Sequence, residues 1–526
     1  MDTNTITRQM HAAGLGLTVV EAPSSREVRL FGGREVIVPT AGFIRDRFRG
    51  RPEMIWAEDT RAEDGTFTLR YLFELEDIDC FILLSVPVPD DQRTFPSLAT
   101  QWYLASRFER EIHDLFGLVP FDHPDLRRLP LHQFWPDDFH PLLKDAVPPA
   151  EFIDDGSPFP FRWVEGEGIH EITVGPVHAG IIEPGHFRFS AEGETIVNLE
   201  SRLYFVHKGI EKLFETLPVE RSVNLAERIS GDSSVAHAMA FCQAVEAMAG
   251  VTIPPRAAGL RVVLLELERL YNHIGDVGAI CTDTGFAFAN SHTMRLREDL
   301  LRLNARLFSH RLLRGVLTPG GILRDLNHAQ EADAQARVHR VVKDFGEIVE
   351  IARKNALLMD RLLGTGWLTR RTAQEMQVVG LVGRASGIDA DARRDHPFAA
   401  YPQLDVRVAV MQEGDVWARM MVRVEEVHES VRLIDHVLRH LPQGKISEPV
   451  TKWEKNASAF GLVEGWRGPI WHWVVGGSGS SLARVKIKDP SFANWPALNY
   501  AILKNIVPDF PLINKSFNLS YAGNDL

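Results

Sequence analysis

The chain has 526 residues, enough for about three domains, or two if one is large. Hydrophobic residues make up 45% and charged residues 24%, the balance of a globular protein with a sizeable core, and a formal charge of −12 disfavours a chain that wraps nucleic acid. The three cysteines, Cys80, Cys242 and Cys281, lie too far apart in sequence for a local iron–sulfur or zinc motif or a disulfide framework.

No basic and apolar leader opens the sequence, and no run of about 18 apolar residues offers a membrane span, so a soluble cytoplasmic protein is expected. In the first third, Phe67, Leu69, Tyr71 and Phe73 alternate as in a half-buried strand, and FILLSVPVP follows as its hairpin partner. LATQWYLASRFEREIHDLFG reads as a helix ending at Gly117. Phe108, Ile112, Leu115 and Phe116 give it an apolar face, while Glu109, Arg110, Glu111 and Asp114 are solvated or bridge to a neighbour. The segment after it, through Phe152, has too many prolines for regular structure and reads as a strap.

A second unit begins near Phe161 with short strands joined by Gly and Pro turns. Helical spacing then marks 221–250, 260–284, 292–316, 327–363 and 419–441. In the last, Val424, Val427, Val431, Ile434 and Leu438 form one apolar stripe. The tail returns to strand alternation, with SGSS at 478–481 as a turn. No dinucleotide fingerprint or phosphate loop stands in strand–helix context, so NADH is not expected on this chain.

Four long stretches carry more than periodicity. FEREIHDLFGLVPFDHPDLRRLPLHQFWPDDFHPLLKD (108–145) resembles the signature of the C-type subunit of respiratory complex I. ELERLYNHIGDVGAICTDTG (266–285), RASGIDADARRDHPFAAY (384–401) and GDVWARMMVRVEEVHESVRLI (414–434) resemble the D-type subunit, which is related to the large subunit of nickel–iron hydrogenases of the hydrogenase-4 and formate hydrogenlyase type. The resemblance implies an α+β chain. A C-type docking domain would span 1–150, and a large, mostly helical D-type domain with peripheral strands 160–526.

Hydrogenase relatives hold nickel with two CxxC pairs. At those positions this sequence has Ser230 and Ser233, then Ser491 and Asn494 after Asp489 and Pro490. Hard hydroxyls do not replace soft thiolates, so no metal is expected. In complex I the emptied cavity takes a quinone head group. Here GPVHAGIIEPGHFRF supplies His178, Glu183 and His186, but the position of the quinone-binding Tyr falls on Gly231. Asp232 between the two serines has two readings. It accepts protons at the cavity with His178, His186 or Glu183, or it caps the following helix.

Glu266, Arg269 and His273 share a predicted helix face, and Arg384, Asp389 and Arg393 belong to the RASGxDxR motif. These six serve packing and ion pairing, or a proton path. Glu211, in HKGIEK, orients the cavity helix or is an exposed charge. The resemblance further implies an oxidoreductase subunit that binds no cofactor itself, on the cytoplasmic side of a membrane complex. Its expected partners are a B-type small subunit with a 4Fe–4S cluster, a ferredoxin-like subunit and antiporter-like membrane subunits. A quinone is the expected acceptor in the cavity, and the alternative is a non-catalytic scaffold or coupling role.

Overall fold

The computed structural model describes residues 2–76, 78–154, 156–179 and 181–526, and divides into two compact units, Met1–Arg162 and Trp163–Leu526. Its architecture is α+β. In the first unit β1 (Val19–Ser24) and β2 (Glu27–Phe31) form a hairpin, followed by α1 (Ile37–Phe48), β3 (Arg51–Asp59), β4 (Thr66–Glu74) and β5 (Phe81–Pro89). The sheet order is β1-β2-β5-β4-β3, parallel only between β2 and β5. The expected hairpin is β4–β5, paired from Thr66↔Pro89 to Glu74↔Phe81. Phe67, Leu69, Tyr71 and Phe73 are fully buried, as their alternation requires.

Helix α2 (Tyr103–Phe116) packs on β3 and ends at Gly117, whose φ of 71° suits glycine. It starts five residues later than expected from Leu98. The fully buried Glu109 carboxylate accepts from Ser97 Oγ and from Leu98 N–H (2.7 Å), folding 97–102 into a turn against the helix. Burial pushes the Glu109 carboxyl up to about 7. The polar face of α2 also organises the strap. Asp114 accepts from Leu129 N–H (2.8 Å) and Leu131 N–H (3.3 Å), while Arg110 donates to the carbonyls of Arg127 and Arg128. Irregular chain is thereby fixed by side chains where no sheet or helix can satisfy its backbone.

The second unit opens with β6 (Ile169–Val174), β7 (His186–Glu192) and β8 (Thr195–Arg202), an antiparallel sheet in the order β8-β7-β6. Its long helices are α3 (Ser234–Ala249), α4 (Pro255–Asp283), α5 (Ala287–Phe308), α6 (His328–Arg353) and α7 (Val416–Arg439). A second antiparallel sheet, β9 (Ser458–Glu464), β10 (Pro469–Gly476) and β11 (Leu482–Lys488), precedes α8 (Pro490–Ala501), α9 (Phe510–Phe517) and α10 (Tyr521–Asp525). Helix α4 is buried along almost its whole length and packs against α5, α7 and α9, so it is the axis of the unit.

Three expected helices end or break elsewhere. The 221–250 segment is split into Val219–Ala226 and α3 by a loop at 227–233. Helix α5 stops at Ser309, in a left-handed conformation, and His310 Nδ1 accepts the N–H groups of Leu312 and Arg314 in a turn. The 327–363 segment breaks after Arg353, where Asn355 caps a second helix by accepting from Leu358 N–H.

An Asp114→Ala substitution strands two buried N–H groups of the strap, at a cost of about 1–3 kcal/mol each. Limited proteolysis should then cut faster between 118 and 150, while the cleavage rate within the β-sheet stays unchanged.

Candidate functional site

The 227–233 loop, the β6–β7 connection, the β9–β10 turn, the end of α4 and the chain from α9 to α10 surround a cavity of about 510 Å3. Its wall is apolar at Val174, Phe187, Phe510, Pro511 and Leu519. His178, Glu183, Ser230, Asp232, Asp283, Arg467 and Lys515 add polar groups. An apolar hollow of this size with a few converging polar groups suits a small organic ligand.

At its floor Asp232 meets Arg467 in a two-point pair, Oδ1 to Nη1 and Oδ2 to Nη2, each 2.7 Å. Arg467 is buried, with its guanidinium 3.8 Å from the Trp466 ring centroid, and about a third of the Asp232 side chain is reachable (37%). Burial pushes the Asp232 carboxyl up, but the adjacent guanidinium outweighs it and holds the carboxyl below its usual range. The carboxylate form of Asp232 is thereby favoured, held in its pair with Arg467. It does not cap α3: its carboxylate turns to Arg467, and the first N–H groups of α3 are met by Glu268 from α4.

The positions of the four hydrogenase cysteines form a hydrogen-bonded support for this pair. Ser520 Oγ accepts from Gly523 N–H and donates to Ser230 Oγ (2.8 Å), which donates to Asp232 Oδ1 (2.9 Å). Ser233 Oγ accepts from Arg467 Nη1 (3.2 Å). Ser491 Oγ accepts from Ser520 N–H (2.9 Å), and Asn494 holds Val379 by both its N–H and its carbonyl. Val379 precedes Gly380, at φ +65°, where a Cβ would stand 1.9 Å from the carbonyl oxygen of Arg467. Ser233, Ser491 and Asn494 thus stand behind the cavity wall, unlike the expected lining role. Hydroxyls and an amide do not fit nickel and iron, which want soft thiolates. Cys242 and Cys281 are buried, with burial raising both thiols.

Of the β6–β7 residues, His178 and Glu183 line the cavity. His178 Nε2 donates to the Gly185 carbonyl (2.8 Å), and Glu183 accepts from Ala522 N–H (2.9 Å) at α10. His186 is not among the described residues of the wall. It opens β7, with Nδ1 turned to the Gly175 carbonyl (3.4 Å), and burial lowers its pKa. Gly231 lines the floor, and a Cβ there would meet only the movable end of Arg314, at 3.3 Å.

The expected ion-pairing residues form a closed buried lattice beside the site. Glu426 of α7 accepts from Arg269 (3.1 Å), His273 (2.9 Å) and Arg384 (2.8 Å). Glu266 accepts from Arg269, Arg393, Ser430 and the Tyr401 hydroxyl. Burial raises the Glu426 carboxyl, yet Arg384, His273 and Arg269 hold it well below its usual range. Asp389 also pairs within its loop, but at the surface. It is exposed and pairs with Arg394 (2.6 Å), whereas Asp391, two residues on, is the buried carboxylate between Arg384 and Arg393. Glu211 is no exposed charge: it is buried against Arg484 (2.7 Å) and Lys486 (3.1 Å).

Arg467 and Trp466 were not legible as site residues, because a lone Arg in a Gly-Trp-Arg-Gly turn carries no spacing signal. His237 was missed as well. It donates to Asp489 (3.0 Å) and meets His472 (3.1 Å), tying α3 to β10 and to the start of α8.

The sequence matches the family model of the 30 kDa subunit of respiratory-chain NADH dehydrogenase over residues 33–151, and that of the 49 kDa subunit over 283–459. It is 33% identical to hydrogenase-4 component G of Escherichia coli (strain K12), over 90% of this chain and 83% of the relative. The chain belongs to this fused 30 kDa/49 kDa family. Formate hydrogenlyase subunit 5 of the same strain is also 33% identical, over 92% and 86%. The fused C/D protein of NADH-quinone oxidoreductase from Phocaeicola vulgatus is 29% identical, over 82% and 86%. A chain of an archaeal membrane-bound sulfane sulfur reductase superposes with a TM-score of 0.64 at 25% identity, covering 69% of this chain and all of that one (100%). These names support an oxidoreductase-complex subunit.

Replacing Arg467 by Gln removes the cation that offsets burial at Asp232, so its pKa should rise above the carboxylate range. In the wild type the unfolded chain binds the Asp232 proton more tightly, so stability grows with pH through the acid range and levels off above about 4. In the variant the folded state binds it more tightly, and thermal stability should fall as pH rises above about 4; thermal midpoints across pH 4–8 check the reversal. Arg384→Ala leaves Glu426, Glu464 and Asp391 short of a cation and should cost about 3–5 kcal/mol, read from denaturant unfolding.

Proposed function

We propose that this chain is the large subunit of a complex I-like, hydrogenase-4-like membrane oxidoreductase, and that its nickel-free cavity receives a quinone-like acceptor. Electrons would come from an iron–sulfur cluster in a B-type small subunit, alongside a ferredoxin-like subunit. Antiporter-like membrane subunits would couple the reaction to ion movement. Among the described residues no helix is long and apolar enough to cross a membrane, so attachment falls to those partners, on the cytoplasmic face.

The cavity itself carries this proposal: a space of about 510 Å3 reaches Asp232 and is not plugged by bulky side chains. The apolar wall suits a ring, and the polar floor suits the oxygens that gain charge on reduction. Arg467 offers that charge a fixed cation. His178 commits Nε2–H to the Gly185 carbonyl, which leaves Nδ1 as the ring nitrogen that can meet an occupant. Glu183, tied to α10, positions the loop that bears His178.

The test uses the purified complex. The neighbouring cluster is reduced, and its reoxidation is followed as a short-chain quinone is titrated, in the wild type, Gly231→Trp and Asp232→Asn. Saturable reoxidation that Gly231→Trp abolishes and Asp232→Asn slows is expected. A cluster that stays reduced at every quinone concentration would sink the quinone assignment and leave the scaffold or coupling role.

A further inference from the structure

Reduction of a small organic acceptor places negative charge on its oxygen atoms, and the cavity wall holds two cations that can face it, Arg467 and Lys515. They are not equally free. Arg467 has four of its five N–H groups committed: Nε to the Asn518 carbonyl, Nη1 to Asp232 and Ser233, and Nη2 to Asp232. Its charge is matched by Asp232 at two points, so an occupant finds a neutral pair there, with at most one donor to spare.

Lys515 stands in the last turn of α9, half-buried in the cavity wall, and among the described residues its Nζ has no hydrogen-bond or ion-pair partner. The helix that carries it is fixed from behind. Arg419 Nε donates to Ser516 Oγ (2.8 Å), and its guanidinium lies 4.5 Å from the Phe517 ring centroid. Ile513, Ser516 and Phe517 are buried, while Asn514, Lys515 and Asn518 line the cavity. Asn518, three residues after Lys515 and on the same face, also holds Arg467 through its carbonyl and Asp276 through Nδ2 (2.7 Å). The backbone under Lys515 is therefore anchored together with the floor, while its four-carbon stem and three N–H donors stay movable. The other charged groups of the wall are Asp232, Glu183 and Asp283. Partial burial raises the Asp283 carboxyl and the Lys515 charge lowers it, although the two are not in ion-pair contact.

We propose that Lys515 is the acceptor-contacting cation of the cavity, whose ammonium group donates to the acceptor oxygen on which reduction places negative charge. Arg467 and Asp232 set the floor before the reaction, and Lys515 answers the charge that appears during it. A neutral quinone carbonyl is a weaker partner for an ammonium than the oxyanion of the reduced ring, so the contact strengthens as the electron arrives. An interaction of that kind acts on the rate of reduction more than on occupancy by the oxidised acceptor. Asp283 supplies countercharge near the ammonium without closing on it, which leaves the three donors available in the empty cavity. The inference rests on the cavity being an acceptor site and adds which residue meets the acceptor there.

The experiment follows reoxidation of the pre-reduced neighbouring cluster in the purified complex by a short-chain benzoquinone, in the wild type, Lys515→Met and Lys515→Arg. Lys515→Met is expected to lower the maximal rate by about tenfold to a hundredfold, the range for losing one charged hydrogen bond, and to change the half-saturating concentration by less than about threefold. Lys515→Arg should recover most of the rate, because it keeps the charge and its donors. Equal maximal rates in the wild type and Lys515→Met, a change confined to the half-saturating concentration, or a loss that Lys515→Arg does not recover would each overturn the role of Lys515 and leave the quinone assignment standing. If Lys515→Met fails to assemble, Lys515→Gln is judged by the same two numbers. A wild-type cluster that benzoquinone never reoxidises removes the quinone assignment, and the role of Lys515 falls with it.

Discussion

Buried charge must be matched by buried countercharge, and α4 carries that constraint through the centre of the second unit. Its Arg269, Glu266, His273 and Asp276 cannot be solvated where they stand, so their partners have to arrive from elsewhere in the chain. Glu426 and Arg423 come from α7, and Arg384 and Arg393 from the segment before it. Arg269 also donates to the carbonyls of Glu464 (2.7 Å) and Gly465 (3.2 Å), which fixes the end of β9. Two residues later the same turn delivers Arg467 to the cavity. The placement of the cation that defines the site thus follows from the closure of the lattice beside it. The far side of Arg467 is secured in the same way: its Nε donates to the Asn518 carbonyl, and Asn518 Nδ2 donates to Asp276 (2.7 Å).

The loss of thiolates has not left four empty positions. Ser230 and Ser233 touch the Asp232–Arg467 pair directly, Ser491 holds the backbone of Ser520, and Asn494 holds the loop against which the Arg467 turn rests. Neutral hydrogen-bonding groups suit this task better than metal ligation, since each has a fixed donor or acceptor and none needs deprotonation. A pair clamped from both sides loses little entropy when an occupant arrives, which is the condition for electrostatic preorganisation.

The sequence made the α+β class legible, along with the β4–β5 hairpin and the apolar stripe of α7, because burial on one face leaves a periodic trace. It blurred wherever a side chain from a distant position fixed the backbone, as Glu109 does at the start of α2. Among the site residues, His178, Glu183, Gly231 and Asp232 were reachable by motif, and all four line one cavity. Arg467 was not, since its importance comes from a fold that brings residue 467 to residue 232. Asp389 and Asp391 make the same point at closer range: two aspartates two residues apart are indistinguishable by composition. Only the packing of the loop decides that the second is buried between arginines and the first meets solvent.

Glu266 and Glu268 show how far environment alone can divide identical groups. Both sit on α4 and both are fully buried, yet they project to different sides of the helix, because a step of two residues turns about 200°. Glu266 faces the arginines of the lattice, which outweigh burial and hold it below the carboxylate range. Glu268 faces the start of α3, where two N–H groups and the end of a helix dipole offer partial rather than full positive charge. Those two N–H groups satisfy the carboxyl, so Glu268 ties the start of α3 to α4 where Glu266 ties α4 to the lattice.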